Sequence, residues 1–497
     1  MFELTSDQEK ALKALNSNSN IFFTGDAGTG KTFTLNEFIK QQYAKRKNIM
    51  LTASTGIAAL NIGGVTCHKA LKIPIPAYGN DVSKASINAL IGVDTLLIEE
   101  ISMLRNDVFD YICRVIKRVN KLYKQHTRLI VTGDFYQLPP VVSKTEHSKL
   151  KTFGYDLSGY CFTTKAWEDM KFKTVILHQS VRQSDEDFVE NLNLLKNGET
   201  KCIGYFNQFA NRSDTPSASE TVHLCPTNAK AAAICREELD KLPGQFMAYT
   251  AKYSDTFPKD APVEENLLLK VGCKVMFVIN DTDYDETCEE PAYVNGTIGE
   301  VVKLYPEAVD VKTNSGKVIR IGMNTWHTCK YTIKQGVLNK EETGYFSQIP
   351  LKVAYAITIH KSQGKTFENA VIDPVSFANG QLYVAISRIK SPEGIYLTSD
   401  VLPEYVRADS KVKKFYSDFS YAVSEAQTRK QKETQKAFTA AAKKKKPAKK
   451  TNKNITKKKT ETRKSTKTRR VVPKTQRTAK TVKNIKRGHY GDNNLLY

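Results

Sequence analysis

Gly25-Asp26-Ala27-Gly28-Thr29-Gly30-Lys31-Thr32 has the spacing G-x-x-x-x-G-K-T. Those residue types suit the binding of a nucleoside triphosphate. Glycines let backbone N–H groups turn onto phosphate oxygens, the lysine reaches the β and γ phosphates, and the next hydroxyl ligates magnesium. A nucleoside triphosphate with Mg2+ is therefore expected at Gly25 to Thr32, with Lys31 on the phosphates and Thr32 on the metal. An ordinary Gly-rich turn is the competing reading. Glu99-Glu100 follows the apolar run Thr95-Leu96-Leu97-Ile98. In that place Glu99 can hold magnesium and Glu100 can take a proton from an attacking water. Taken alone, the pair also reads as the solvent edge of a strand. A third polar group, Gly133-Asp134-Phe135-Tyr136-Gln137-Leu138-Pro139-Pro140, ends another apolar run; by itself it also reads as a turn stiffened by two prolines.

These groups need strands that end where the chemistry begins. Strand-like runs at 20–24, 49–52, 95–98 and 128–132, with helical spacing at 33–43 and 103–122, predict an α/β unit with a parallel sheet covered on both faces. Its chemistry belongs at the carboxyl ends of the strands. After 174–177 the same alternation restarts, with Val222 to Cys225, Ala370 to Ile372 and Ile395 to Leu397. Between about 267 and 348 the character changes to short β-rich runs (274–279, 299–304, 308–311, 317–321) separated by turns such as Asn295-Gly296 and Asn314-Ser315-Gly316. A small β-barrel insertion is expected there. No internal sequence repeat is visible.

The 497 residues exceed a single core and predict several packed units. Of the 75 Lys+Arg, 25 lie from Arg429 onward with only three acidic residues, so the tail carries +22 of the net +23. It lacks apolar periodicity, so disorder is expected, and its charge suits phosphate attraction or a nuclear-import signal; a solvated solubility tail is the plain alternative. Nine cysteines without a C-x-x-C pair read as reduced thiols and argue against a zinc site. Neither a secretory leader pattern nor a membrane-length apolar run is present, which predicts a soluble intracellular protein without membrane association.

The order of phosphate loop, E-E-I-S and G-D-F-Y-Q-L-P-P resembles superfamily 1 helicases. Further stretches narrow the likeness. Thr52 to Ala59 followed by Gly64 to Lys69 looks like the DNA-contacting motifs of that group. Asp187-Phe188-Val189-Glu190-Asn191-Leu192-Asn193 resembles the signature of the petite-integration-frequency (Pif) helicases. Ala356 to Gly364 and Gln381 to Arg388 are similar to motifs five and six of the Pif/RecD-like superfamily 1B helicases, and the likeness runs from Thr5 to about Ser399.

The resemblance implies two RecA-like P-loop domains, with a small β-barrel (SH3-like) insertion in the second and the disordered basic tail. The expected limits are 1–180 for the first domain with a small insertion near 62–90, 181–266 and 349–428 for the second, 267–348 for its β-rich insertion, and 429–497 for the tail. It implies a catalytic set of Lys31, Glu100, Gln137, Arg182 and Arg388, with Gln137 sensing the γ-phosphate. The two arginines would supply planar, permanently charged donors. Gln8 corresponds to an adenine-reading glutamine, although it also suits a helix start, and Gly364 joins the nucleotide-binding set. Thr55, His68, Thr358, His360 and Lys361 would contact the backbone of nucleic acid; the two histidines also read as satisfied core residues. The family usually carries aspartate where Glu99 stands, which moves the carboxylate by a methylene.

The implied activity is an ATP-dependent 5′-to-3′ DNA helicase, monomeric as a motor. Its expected partners are single-stranded DNA, duplex junctions, and replication or single-strand-binding proteins. The expected place is the nucleus or a viral or organellar site of DNA replication, repair, recombination or telomere maintenance. An RNA helicase of the same superfamily and a polycationic nucleic-acid packer with a vestigial ATPase are the alternatives.

Overall fold

Six short runs of apolar and β-branched residues pair into a wholly parallel sheet: β1 (Ile21–Gly25), β2 (Ile49–Ala53), β3 (Val65–Thr66), β4 (Thr95–Glu99), β5 (Arg128–Thr132) and β6 (Lys173–Leu177), in the order β3-β2-β4-β5-β1-β6. β1, β2 and β5 are buried along their whole length, as strands covered on both faces must be. In this computed structural model the described residues are 4–178, 181–216, 221–258, 261–281, 292–334 and 337–418. The Lys/Arg-rich tail from Arg429 and Cys288 lie outside them. The chain is an α/β protein with a parallel-sheet, RecA-like core.

Alternate residues of each strand serve opposite faces. Ile21 and Phe23 of β1 pack with Leu51, Leu97 and Ile130 against Leu15, Phe38 and Ile39 of the helices Ser6–Leu15 and Lys31–Ala44. Phe22, with Met50, Leu96, Ile98, Leu129 and Val131, packs on the other face against the helix Asn106–Tyr123. Cys67, Leu71, Ile73, Ala77 and Leu90 join that second core, so the stretch expected as an insertion near 62–90 is packed into it.

A second parallel sheet runs Ala356–Thr358, Val222–Cys225, Ala370–Ile372, Ile395–Leu397. Between its first and later strands lies antiparallel structure. Five strands pair in the order Val318–Gly322, Ala308–Thr313, Ile298–Tyr305, Lys274–Phe277, Leu351–Val353. A longer pair, Asn324–Lys334 and Val337–Gln348, is joined by Lys252–Tyr253; these two long strands were not among the runs expected from the sequence.

The long pair reaches the first sheet. β3 pairs with β2 only at Thr52 and Ala53, which leaves Leu51 at an open stretch of the edge. The Tyr331 hydroxyl accepts from Leu51 N at 3.2 Å and donates to Leu51 O at 3.3 Å, closing the ladder where no strand does. Leu338 N donates to Asn48 Oδ1 at 3.0 Å, and Lys340 Nζ to Gly63 O at 2.8 Å.

A helical stretch at 410–418 departs from the expected limits, which carried the second domain to 428. Val412 is buried in the first sheet's core, and the Phe415 ring stacks on Phe162 at 4.4 Å. Tyr416 stacks on Tyr136 at 4.9 Å and 11°, while its hydroxyl bonds Thr24 Oγ1 at 3.1 Å and accepts from Phe135 N at 3.2 Å. The reason is complementarity: Phe22, Phe135, Phe162 and Trp167 form an aromatic face that one more ring completes. Tyr416→Phe should therefore cost about 1 kcal/mol of stability for the lost hydrogen bonds, and Tyr416→Ala roughly 3 kcal/mol, read as shifts in the denaturant midpoint of the full chain.

Candidate nucleotide and nucleic-acid site

The phosphate loop leaves the end of β1 and enters the helix Lys31–Ala44. Gly28 and Gly30 take the left-handed backbone at φ +80 and +81, which glycine adopts without steric cost. Gly30 is also closely approached: a Cβ there would lie 2.3 Å from Gln8 Nε2. Gln8 is buried and its amide is engaged by protein. Its Oε1 accepts from Thr5 N at 3.0 Å and its Nε2 donates to Thr29 O at 3.2 Å, so in this arrangement it caps its helix and braces the loop. Lys31 Nζ donates to Gly25 O at 2.8 Å and Asp26 O at 2.9 Å, and Thr32 is exposed at the helix start.

Charges converge on Lys31. Burial lowers its pKa most; Asp134, Glu100 and Asp26 pull it back up, and Arg388 pushes it down. Glu99 and Glu100, at the end of β4, are held above the usual carboxylate range, chiefly by burial. For Glu99 the next cause is repulsion from Glu100; for Glu100, Lys31 and Arg388 oppose the rise. Asp134, after β5, is raised by burial as well. A dense, desolvated set of carboxylates beside one lysine suits a divalent cation and phosphates, which bring the missing charge of each sign. Among the described residues no group of three or more His, Cys, Asp or Glu side chains forms a metal cage. A magnesium ion there would rest on Thr32, one carboxylate and the phosphates, its ordinary mode.

The second sheet supplies the other wall. Arg388 is buried, its Nε donating to Val384 O at 2.9 Å and its Nη2 to Ser387 Oγ at 2.9 Å. Arg182 Nη1 donates to Ser387 O at 2.9 Å, so the two arginines stand together; burial and then Arg388 lower the Arg182 pKa. Gln137 Nε2 donates to Asp134 Oδ2 at 3.1 Å.

Several residues at this wall were not among those expected from the sequence. Gln363 Nε2 donates to Glu100 Oε2 at 2.9 Å and to Gln137 Oε1 at 3.1 Å. Tyr383 accepts from Ala27 N at 3.3 Å. Lys196 pairs with Asp26 at 2.7 Å from the end of the helix Glu186–Lys196. Gln363, Tyr383 and Asp134 lie inside the motifs that carried the resemblance; Lys196 has no local signal beyond following the signature stretch.

The residues expected to touch nucleic acid sit apart from this cluster. Thr55 caps the helix Gly56–Asn61 by accepting from Ala58 N at 3.3 Å. The segment before it is tied to the acidic pair, with Ser54 Oγ donating to Glu100 O at 2.7 Å. Thr358 is buried and accepts from Lys361 N at 3.3 Å; His360 and Lys361 are exposed on the turn His360–Ser362. His68 is half-buried in the helix Cys67–Leu71, where burial lowers its pKa and Asp107 raises it. Gly364 has φ +78 with open space where a Cβ would stand, so the position requires the backbone conformation and not close approach.

Gly380 joins the walls most tightly. At φ +72, a Cβ would fall 2.2 Å from Tyr136 O and 2.9 Å from Gln137 O. Gly380→Ala should part the helix Gln381–Ile386 from Gln137 and lower the turnover number for ATP by about 100-fold, the scale of a 1 Å misplacement of reacting groups, measured by steady-state phosphate release.

Residues 3–202 match the PIF1-like helicase family. The chain is 31% identical to the ATP-dependent DNA helicase Pif1 of Bdellovibrio bacteriovorus over 84% of this chain and 92% of that protein. It is 30% identical to the human ATP-dependent DNA helicase PIF1 over 84% of this chain and 64% of that protein. Among solved structures, unliganded Pif1 from Bacteroides sp. superposes with a TM-score of 0.74 at 32% identity, covering 84% of this chain and 98% of that one. Bacteroides Pif1 bound to single-stranded DNA gives 0.60 at 31%, covering 85% and 98%. With a phosphate loop, an acidic pair and two arginines set between two parallel sheets, and with these relatives matching 84% or more of the chain at 30–32% identity, the protein belongs to the Pif1-like helicase family.

Proposed function

We propose that this chain is an ATP-dependent DNA helicase that moves 5′ to 3′ along single-stranded DNA and opens duplexes ahead of it. One observation carries the reading: groups beside the second sheet bond the phosphate loop and the acidic pair of the first, Tyr383 accepting from Ala27 N at 3.3 Å and Gln363 Nε2 donating to Glu100 Oε2 at 2.9 Å. Hydrolysis in such a cleft depends on both walls. Relatives named ATP-dependent DNA helicase, and a Bacteroides Pif1 solved in complex with ADP-AlF4, support ATP as the fuel.

In this reading Lys31, Arg182 and Arg388 surround the γ-phosphate with positive charge as charge develops there, and Gln137 senses its presence. Glu100 takes the proton of the attacking water. Its burial raises its affinity for a proton, which suits a base. Magnesium, held by Thr32 and Glu99, would neutralise phosphate charge. Thr55, His68, Thr358, His360 and Lys361 grip the DNA backbone, which fixes position without reading sequence. Gln8 lies beside the loop, where an adenine edge would compete with its present partners.

We assign 1–180 and the two segments 181–266 and 349–428 to RecA-like domains, with 410–418 returning to the first. The antiparallel region at 267–348 is the second domain's SH3-like insertion, lying over the DNA path. The tail from Arg429 tethers the motor to nucleic acid or directs nuclear import. Single-stranded DNA and forks are the partners, the motor is monomeric, and the work is done inside the cell at sites of DNA replication or repair; among the described residues no helix is long and apolar enough to cross a membrane.

Hydrolysis, unwinding and DNA binding test this. Hydrolysis by the full chain should rise on adding single-stranded DNA more than on adding matched RNA, and only 5′-tailed duplexes should be unwound. Glu100→Gln should lower the turnover by about 10²–10⁴-fold. A preference for RNA would move the substrate to RNA. Deleting 429–497 should flatten the salt dependence of DNA binding, each lost phosphate contact reducing the log–log slope by about 0.7 on a single strand, and leave DNA-stimulated hydrolysis in place. A collapse of hydrolysis on that deletion would make the tail part of the motor.

A further inference from the structure

Gln363 has no part in the chemistry assigned above, yet one amide nitrogen holds the oxygens of two residues that do. Its Nε2 donates to Glu100 Oε2 at 2.9 Å and to Gln137 Oε1 at 3.1 Å. Gln137 passes the chain on to Asp134 at 3.1 Å. Glu100 needs such a restraint because its own backbone is at φ +54, a left-handed position that costs a residue with a side chain about 1–2 kcal/mol. A carboxylate on a strained backbone is aimed by what it bonds.

The other end of Gln363 is as well defined. It closes the turn His360–Ser362, donating its N–H to His360 O at 3.4 Å. The buried Ser362 hydroxyl donates to Ile359 O at 2.7 Å, and Thr358 Oγ1 accepts from Lys361 N at 3.3 Å. Three bonds within so few residues make the turn move as one piece. His360 and Lys361 are exposed on its outer side, while the amide of Gln363 crosses to the first sheet's acid pair.

We propose that Gln363 is the positioning residue through which the DNA-gripping turn sets hydrolysis: its amide holds Glu100 and Gln137 in register across the cleft, and a shift of His360 and Lys361 is delivered directly to the base. The proposal rests on the ATP-driven DNA helicase reading. Gln363 touches neither phosphate nor DNA in this scheme. Its loss therefore alters turnover and spares binding.

The test is Gln363→Met in the full chain, which keeps the length of the side chain and removes the amide. ATP hydrolysis is measured over an ATP titration with and without oligo-dT, together with oligo-dT affinity by fluorescence anisotropy and the melting midpoint. The expected result is a 10- to 100-fold fall in DNA-stimulated kcat, the scale of a misplaced general base, with KM for ATP and the oligo-dT Kd each within about twofold of wild type. Gln137→Met should lower kcat too, and the double variant should be no worse than the poorer single one, because residues acting as a unit are not additive. Should Gln363→Met lower the melting midpoint, Gln363→Ala carries the same expectation.

Full stimulation in the variant, additive losses, or oligo-dT affinity that falls with kcat would overturn the inference. A rise in DNA-free hydrolysis would also overturn it, since the amide would then be holding the base back and not aiming it. Wild type that hydrolyses ATP without responding to oligo-dT would sink the helicase reading and the proposal together; a responsive wild type beside an equally responsive Gln363→Met would sink the proposal alone.

Discussion

Lys31 is a half-buried lysine whose charge is opposed by Asp134, Glu100 and Asp26, and the arrangement of the cleft follows from having to balance it. Taking such charges out of water costs several kcal/mol each unless partners and hydrogen bonds offset the loss, and removing one partner strands the others. The first sheet offers more carboxylates than cations at this point. Arg388 and Arg182 come from the other wall, and Lys196 reaches across to Asp26. Closing the walls and balancing the charge are thus the same event. Phosphates entering the cleft change that balance, which gives the two sheets a physical reason to move against each other.

Much of this was legible because it depends on short spacings. β4 and β5 were marked by apolar runs that stop at Glu99 and at Gly133, and the observed strands end within a residue of those places. The strands Val222–Cys225, Ala370–Ile372 and Ile395–Leu397 lie where apolar runs predicted them. What was hidden depends on contact between segments far apart in sequence. Gln363 was read as part of a motif, but that its amide meets Glu100, 263 positions earlier, cannot be seen in either motif alone. The strands Asn324–Lys334 and Val337–Gln348 carry alternating polar residues, and exposed positions are interleaved with half-buried ones along them, so no apolar period announces them. The stretch 410–418 fell within the limits expected for the second domain, because the aromatic face it completes is built from residues more than 240 positions earlier.

The Tyr331 hydroxyl on Leu51 explains how an antiparallel element is attached without extending the parallel sheet. A phenol satisfies one N–H and one C=O, after which the edge continues as β3. The bond ties the second sheet's inserted strands to the segment that leads, four residues later, to Thr55. The antiparallel region is therefore held at both ends: by the chain itself at the second sheet, and by side-chain bonds at the first.

Residues 410–418 complete a core whose earliest strand is at Ile21–Gly25. A ribosome delivers the chain from its amino terminus, and Phe22, Phe135, Phe162 and Trp167 emerge long before Phe415 and Tyr416. Until then the first sheet presents an unfinished aromatic surface, the kind of exposed patch that chaperones hold and that drives aggregation. The first half of this chain, made alone, will be a poor independent domain. Fragments meant to isolate it would need the 410–418 segment restored, by circular permutation or as an added peptide.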